Sequence, residues 1–125
     1  MFELSVKSRF SAAHHLVGYA GACASPHGHN WDVEVFVRGR TLGETGMLLD
    51  LKRIKAAVLE AVQELDHRYL NDVESLKELN PTSEHLARHL FDRLSASVNA
   101  GDCRVHRVTV HETPDVSASY EADVP

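Results

Sequence analysis

Residues 31–38 read W-D-V-E-V-F-V-R. Trp31, Val33, Val35 and Val37 alternate with Asp32, Glu34 and Arg38, the period of a strand with one buried face. The same period occurs upstream. Phe2, Leu4 and Val6 alternate with Glu3, Ser5 and Lys7, which predicts a strand continuing through Phe10 towards His14. Residues 16–26 hold Gly18, Gly21 and Pro26 and read as a loop. Two strands joined by such a loop pair most simply as an antiparallel hairpin.

Downstream the period changes. Gly39 to Gly46 is rich in turn residues, and from Asp50 the apolar spacing becomes helical, with Leu51, Ile54, Val58, Val62 and Leu65 on one stripe and Asp50 as N-cap. Residues 66–80 are irregular, with room for a short helical turn. Asn80-Pro81-Thr82-Ser83-Glu84 is a helix-start signal, and Ala87, Leu90, Phe91, Leu94 and Val98 form the stripe of a second helix. After Gly101, Val105, Val108 and Val110 predict a third strand ending near Glu112, and Ala118, Tyr120 and Ala122 a fourth. The expected order is ββααββ, an α+β protein forming one domain over residues 1–125. Two helices on one face of a four-stranded antiparallel sheet leave edge strands exposed, and edge strands are either blunted or paired with another chain. Oligomerisation is therefore expected.

The composition fits an ordinary globular chain: 125 residues, 43% hydrophobic and 25% charged, enough for a core without disulfides. The apolar runs are far shorter than a membrane span. M-F-E-L-S-V-K lacks a basic region followed by an apolar stretch, so no signal peptide is read there and a cytoplasmic protein is expected. Two cysteines, Cys23 and Cys103, agree with a reducing compartment. A net charge of −5 and the lack of any long basic cluster argue against a nucleic-acid groove.

Nine histidines are the unusual count. His27 and His29, either side of Gly28, project to one face if they open the second strand. Hairpin closure brings the end of the first strand beside them. His14 or His15 then supplies a third imidazole; neighbours point to opposite faces, and spacing alone does not choose between the two. Three imidazoles suit a divalent transition metal. Zinc with an open fourth position is the first choice, and the ligand type also admits iron, nickel or copper. The competing reading is a pair of surface histidines on a strand.

Cys23 lies in the loop between the ligand-bearing strands. It is a fourth ligand, a nucleophile or proton carrier activated by a nearby cation, or a small buried hydrophobe. Cys103 has no histidine pair at ligand spacing and reads as structural. Asp66-His67 follows the first helix, where the dipole and the adjacent carboxylate favour a protonated ring. Glu84 falls in the first turn of the second helix, which the dipole explains without any function. Glu112, in H-E-T-P, is either a solvated strand end or an acceptor of two hydrogen bonds from the guanidine-like edge of a heterocycle.

Taken together, F-S-A-A-H (10–14), C-A-S-P-H-G-H (23–29), G-M-L-L-D (46–50), L-D-H-R-Y-L-N (65–71), N-P-T-S-E (80–84) and H-E-T (111–113) resemble the motifs of the 6-pyruvoyl-tetrahydropterin synthase superfamily, in order through nearly the whole chain. Three residues separate Cys23 from His27, a spacing similar to that of the bacterial branch that makes 6-carboxy-5,6,7,8-tetrahydropterin for 7-deazaguanine and queuosine biosynthesis. The resemblance implies the tunnelling fold, in which ββααββ subunits join their sheets into an oligomeric barrel with active sites between subunits. It implies His14, His27 and His29 as zinc ligands, with His14 preferred to His15 because it directly follows F-x-A-A. It also implies Cys23 as the catalytic thiol, Asp66 and His67 as its proton-transfer partners, and Glu112 as pterin anchor and part of the charge relay. The resemblance further implies that Thr82 and Glu84 border the pterin pocket.

The activity so implied is a zinc-dependent carbon–carbon lyase. It converts 7,8-dihydroneopterin triphosphate to 6-carboxytetrahydropterin, releasing acetaldehyde and triphosphate. The redox is internal to the substrate, consistent with the lack of a glycine-rich dinucleotide fingerprint. The alternatives are a 6-pyruvoyl-tetrahydropterin synthase, which stops after triphosphate elimination, an aldolase-like activity on dihydroneopterin, and a non-catalytic zinc module for assembly. Leu51, His111 and the ending A-S-Y-E-A-D-V-P depart from the family pattern, and none is a proposed catalytic position.

Overall fold

The computed structural model describes residues 1–18, 21 and 24–123. Its first two strands are β1 (Phe2–His14) and β2 (His27–Gly39), paired antiparallel in unbroken register from Phe2↔Gly39 to His14↔His27. The alternation that predicts the hairpin also sets its faces. Phe10, Ala12 and His14 on β1 and Trp31, Val33, Val35 and Val37 on β2 are buried on one side. Phe10 and Trp31 face each other across the strands with ring centroids 6.0 Å apart, and the indole N–H donates to the Ala12 carbonyl at 3.3 Å. A fully buried aromatic of this kind contributes about 1.5–3 kcal/mol from burial alone.

Asp50 caps α1 (Leu51–Gln63), its carboxylate accepting from the Lys52 N–H at 2.9 Å. Thr82 caps α2 (Ser83–Val98), its hydroxyl oxygen accepting from the His85 N–H at 3.1 Å. Each cap satisfies one of the N–H groups that a helix start leaves without a partner. Ile54, Val58 and Val62 of α1 and Leu86, Leu90, Leu94 and Val98 of α2 turn inward to the same core. Both helices cover the face of the sheet that carries Phe10 and Trp31.

The chain closes with β4 (Arg104–Thr113) and β5 (Val116–Glu121), β4 lying antiparallel to β2 and β5 antiparallel to β4. The α+β architecture and the helices on one face are as expected. The strand count differs: a two-residue β3 (Arg68–Tyr69) runs parallel to Ala12 and Ala13 of β1, giving five strands in the order β3-β1-β2-β4-β5. Two residues carry no periodic signal, and their pairing is made wholly by tertiary approach to the edge of β1. A single 3₁₀ turn, Leu70–Asp72, follows it and buries Leu70. No helix among the described residues is long and apolar enough to cross a membrane.

Candidate metal centre and its surroundings

The buried face of the hairpin ends in imidazoles. His14 continues the row Phe10–Ala12, and His29 and His27 continue the row from Trp31. Because His14 pairs with His27 and Ala12 with His29, the three rings meet at one corner, with centroids 4.6, 4.8 and 5.4 Å apart. The Trp31 ring lies edge-on beneath His14 and His29, at 5.1 and 5.3 Å. His15 is turned away; it stacks on Tyr69 and its Nδ1 meets the phenol oxygen. Strand alternation thus separates the two neighbours that sequence spacing leaves open.

Two backbone carbonyls fix the tautomers. His14 Nδ1 lies 2.7 Å from the Pro81 oxygen, and His27 Nδ1 lies 2.8 Å from the Ser25 oxygen. A carbonyl only accepts, so each Nδ1 carries the proton and each Nε2 presents its lone pair, the form in which imidazole binds a metal. Burial pushes the His14 imidazole below its ordinary range. The Pro81 carbonyl and Glu112 oppose that shift, and His27 and His29 add to it. A lowered value favours the neutral ring.

Glu112 reaches the same corner from β4. Glu112 follows Val108 and Val110 at the strand period and so shares their core-facing side, and the β4–β5 pairing slips by one residue beside it, between His111 and Thr113. Its Oε1 lies 2.9 Å from His29 Nε2 and 3.5 Å from His14 Nε2. Neither contact has hydrogen-bond geometry, and both ring nitrogens are buried without a partner. Buried ring nitrogens without a hydrogen-bond partner fit the donor set of a cation. One ligand atom from each of His14, His27, His29 and Glu112 lies within 4.8 Å of all the others, a group that could hold a metal ion. A tetrahedral ion with bonds of about 2.1 Å sets its donors about 3.4 Å apart, the same scale.

Asp66 and His67 are brought together outside the group of clustered ligand atoms. Asp66 Oδ1 accepts from the Ser11 N–H at 2.9 Å and lies 3.0 Å from His67 Nδ1. The Ser11 N–H, with His67 adding, holds the Asp66 carboxyl below the usual carboxylate range. His67 has a positive φ of 58°, uncommon outside glycine, and its backbone N–H donates to the Ser11 carbonyl at 2.6 Å. Its ring is 82% exposed. With Ser11, Ala13, His29, Asn30 and Tyr69 it lines an open groove of about 550 Å³.

Thr82 spends its hydroxyl oxygen on the α2 cap, and Glu84 is exposed in the first turn. Cys103 is 5% exposed, and burial pushes its thiol up, in keeping with an inert role. Cys23 lies outside the described residues. Sequence reasoning missed the carbonyls of Ser25 and Pro81, although both stand inside the motifs C-A-S-P-H-G-H and N-P-T-S-E.

Fold and site together define an α+β protein with a histidine-rich, metal-competent corner at one end of its core. Residues 3–123 match the family model of PTPS, 6-pyruvoyl tetrahydropterin synthase. A provisionally named 6-carboxy-5,6,7,8-tetrahydropterin synthase of Archaeoglobus fulgidus is 35% identical over 90% of this chain and 89% of its own. The 6-pyruvoyl tetrahydrobiopterin synthase of Homo sapiens is 31% identical over 97% of this chain and 92% of its own. The solved structure of the Caenorhabditis elegans 6-pyruvoyl tetrahydropterin synthase superposes with a TM-score of 0.87, at 30% identity, over 98% of this chain and 96% of that one. The chain belongs to the 6-pyruvoyl tetrahydropterin synthase family.

Proposed function

We propose that the protein is a zinc-dependent lyase that converts 7,8-dihydroneopterin triphosphate and one water to 6-carboxy-5,6,7,8-tetrahydropterin, releasing acetaldehyde and triphosphate. The observation that carries the reading is the convergence of His14, His27 and His29, two of them with tautomers set by backbone carbonyls and two with buried, unpartnered Nε2 atoms. Placement within 7-deazaguanine and queuosine biosynthesis follows the three-residue spacing between Cys23 and His27 and the likeness to the Archaeoglobus protein, and a cytoplasmic location follows the reading of M-F-E-L-S-V-K as no signal peptide.

His14, His27 and His29 would hold the ion, and zinc suits an all-imidazole set with one open position. Bound there, zinc supplies Lewis-acid polarisation of the substrate's side-chain oxygens. Glu112 takes up the pterin's guanidine-like edge through paired hydrogen bonds, which a carboxylate accepts well. Cys23 acts as base on the substrate side chain. His67, oriented by Asp66, moves protons on the opposite side. Thr82 and Glu84 border the ring pocket.

His67 lies in an open groove that His29 also lines, whereas His14 is buried in the core, so a single chain leaves the groove uncovered on its outer side. A homo-oligomer with sites between subunits resolves this. The outer edge of β1 from Phe2 to Ser11 and the outer edge of β5 have no partner strand among the described residues, which supports assembly by joining sheet edges.

The test is incubation of zinc-loaded protein with 7,8-dihydroneopterin triphosphate, reading products by mass spectrometry. 6-Carboxytetrahydropterin and acetaldehyde are expected. 6-Pyruvoyltetrahydropterin instead would keep the site and move the protein to the eliminating branch of the family. Zinc binding without turnover would favour a structural ion. Cys23→Ala should retain zinc and lose turnover; loss of zinc would make Cys23 a ligand.

A further inference from the structure

We propose that Asn71 and Asn80 are positioning residues for the metal centre, acting on His14 through the backbone that follows it. The inference rests on the metal reading above and names residues that it does not use. The pairing of β1 with β2 stops at His14↔His27, so the chain beyond His14 has lost its strand partner at the place where a ligand must be held still. Two side-chain amides take over. Asn71 accepts from the His15 N–H at 2.9 Å and donates to the His15 carbonyl at 3.0 Å. Asn80 accepts from the Val17 N–H at 2.7 Å and donates to the Val17 carbonyl at 2.8 Å. A side-chain amide carries one acceptor and a donor, like a peptide group, and each asparagine here serves both backbone groups of one residue.

Asn80 has a second connection. It directly precedes Pro81, whose carbonyl accepts the His14 Nδ1–H at 2.7 Å and so sets the ligand's tautomer. Its own carbonyl accepts from the Thr82 N–H at 2.8 Å and from His85 Nδ1 at 2.5 Å, which ties the turn to the capped start of α2. One residue therefore links the segment after His14, the carbonyl that orients the His14 ring, and the helix that anchors both. Val17 is 65% exposed. Water can replace the lost bonds if Asn80 is shortened, so the fold is expected to survive while the ring loses its fixed position.

The test compares the native protein with Asn80→Ala, Asn71→Ala, Asn80→Asp and a distant core control, Val98→Ala. Zinc affinity is read by competition with a chromophoric chelator. Exchange of the His14 Nδ1 proton is read by NMR on metal-free protein, and melting temperature by circular dichroism. Asn80→Ala should weaken zinc binding about tenfold or more, the scale of an outer-shell loss, and speed the ring-proton exchange. Asn80→Asp, which keeps the acceptor and loses the donor, should fall between it and the native protein, and Asn71→Ala should show a smaller effect. Val98→Ala should lower the melting temperature and leave zinc affinity within about twofold, well below the outer-shell scale. The proposal is overturned if Asn80→Ala matches the native protein in affinity and exchange, or if Val98→Ala loses as much affinity. If the native protein binds no zinc, the metal reading fails, and ring-proton exchange alone decides whether the asparagines position His14.

Discussion

The helix-covered corner and the open groove carry the two halves of the proposed chemistry, and they are built differently. On the helix-covered face, His14 is 1% exposed, its tautomer is set by a carbonyl and its neighbours are Trp31 and two further imidazoles. In the open groove, His67 is 82% exposed and its ring is held by Asp66. The first arrangement is completed by folding of a single chain. The second is oriented but uncovered. The difference teaches that binding an ion and moving a proton make opposite demands on a histidine: a ligand needs a neutral ring in a fixed place, whereas a proton carrier needs access to substrate.

The sharpest way to break this comparison is to remove one imidazole from the covered face. His27→Ala should abolish stoichiometric metal, measured by elemental analysis, while circular dichroism remains native; retained metal would mean the cluster is not the site. Next in size, His67→Ala should leave metal content unchanged and lower turnover by about 10²–10⁴-fold, the usual contribution of a positioned acid or base. Loss of metal in that variant would join corner and groove into one site.

Stability should divide along the same line. Trp31→Ala removes a fully buried ring beneath the imidazoles and should cost about 3–5 kcal/mol in denaturant unfolding. Asn30→Ala on the open face removes one hydrogen bond with Ser11 and should cost about 1 kcal/mol or less. Equal losses would show that the open face is covered in the assembled protein.

The smallest effect is a pH slope. Burial pushes both His14 and His89 below the ordinary histidine range. Below about pH 6.5, the unperturbed value, the unfolded chain therefore binds protons that the folded protein refuses, and stability falls as the pH drops. Metal-free protein should melt at a lower temperature near about pH 5.5 than near about pH 7.5, on either side of that value. His89→Leu should flatten the slope in part, and an unchanged slope would place the effect elsewhere.

Much of this was legible in the residues. Alternation along 2–14 and 27–39 fixed the hairpin and its buried side, and helical spacing with Asp50 and the N-P-T-S-E turn placed both helices. The H-G-H pair on one face and a third histidine at the hairpin's end follow from strand period and pairing alone, because neighbours along a strand alternate by covalent geometry. What only the tertiary structure decided depends on groups far apart in sequence. These are the two-residue β3, the carbonyls of Ser25 and Pro81 that fix tautomers, the approach of Glu112 Oε1 to His29 Nε2, and the holding of Asp66 and His67 against the Ser11 backbone. Local period reports which way a side chain points. Which atoms it meets is set by long-range packing, and a ligand or a proton relay is defined by those atoms.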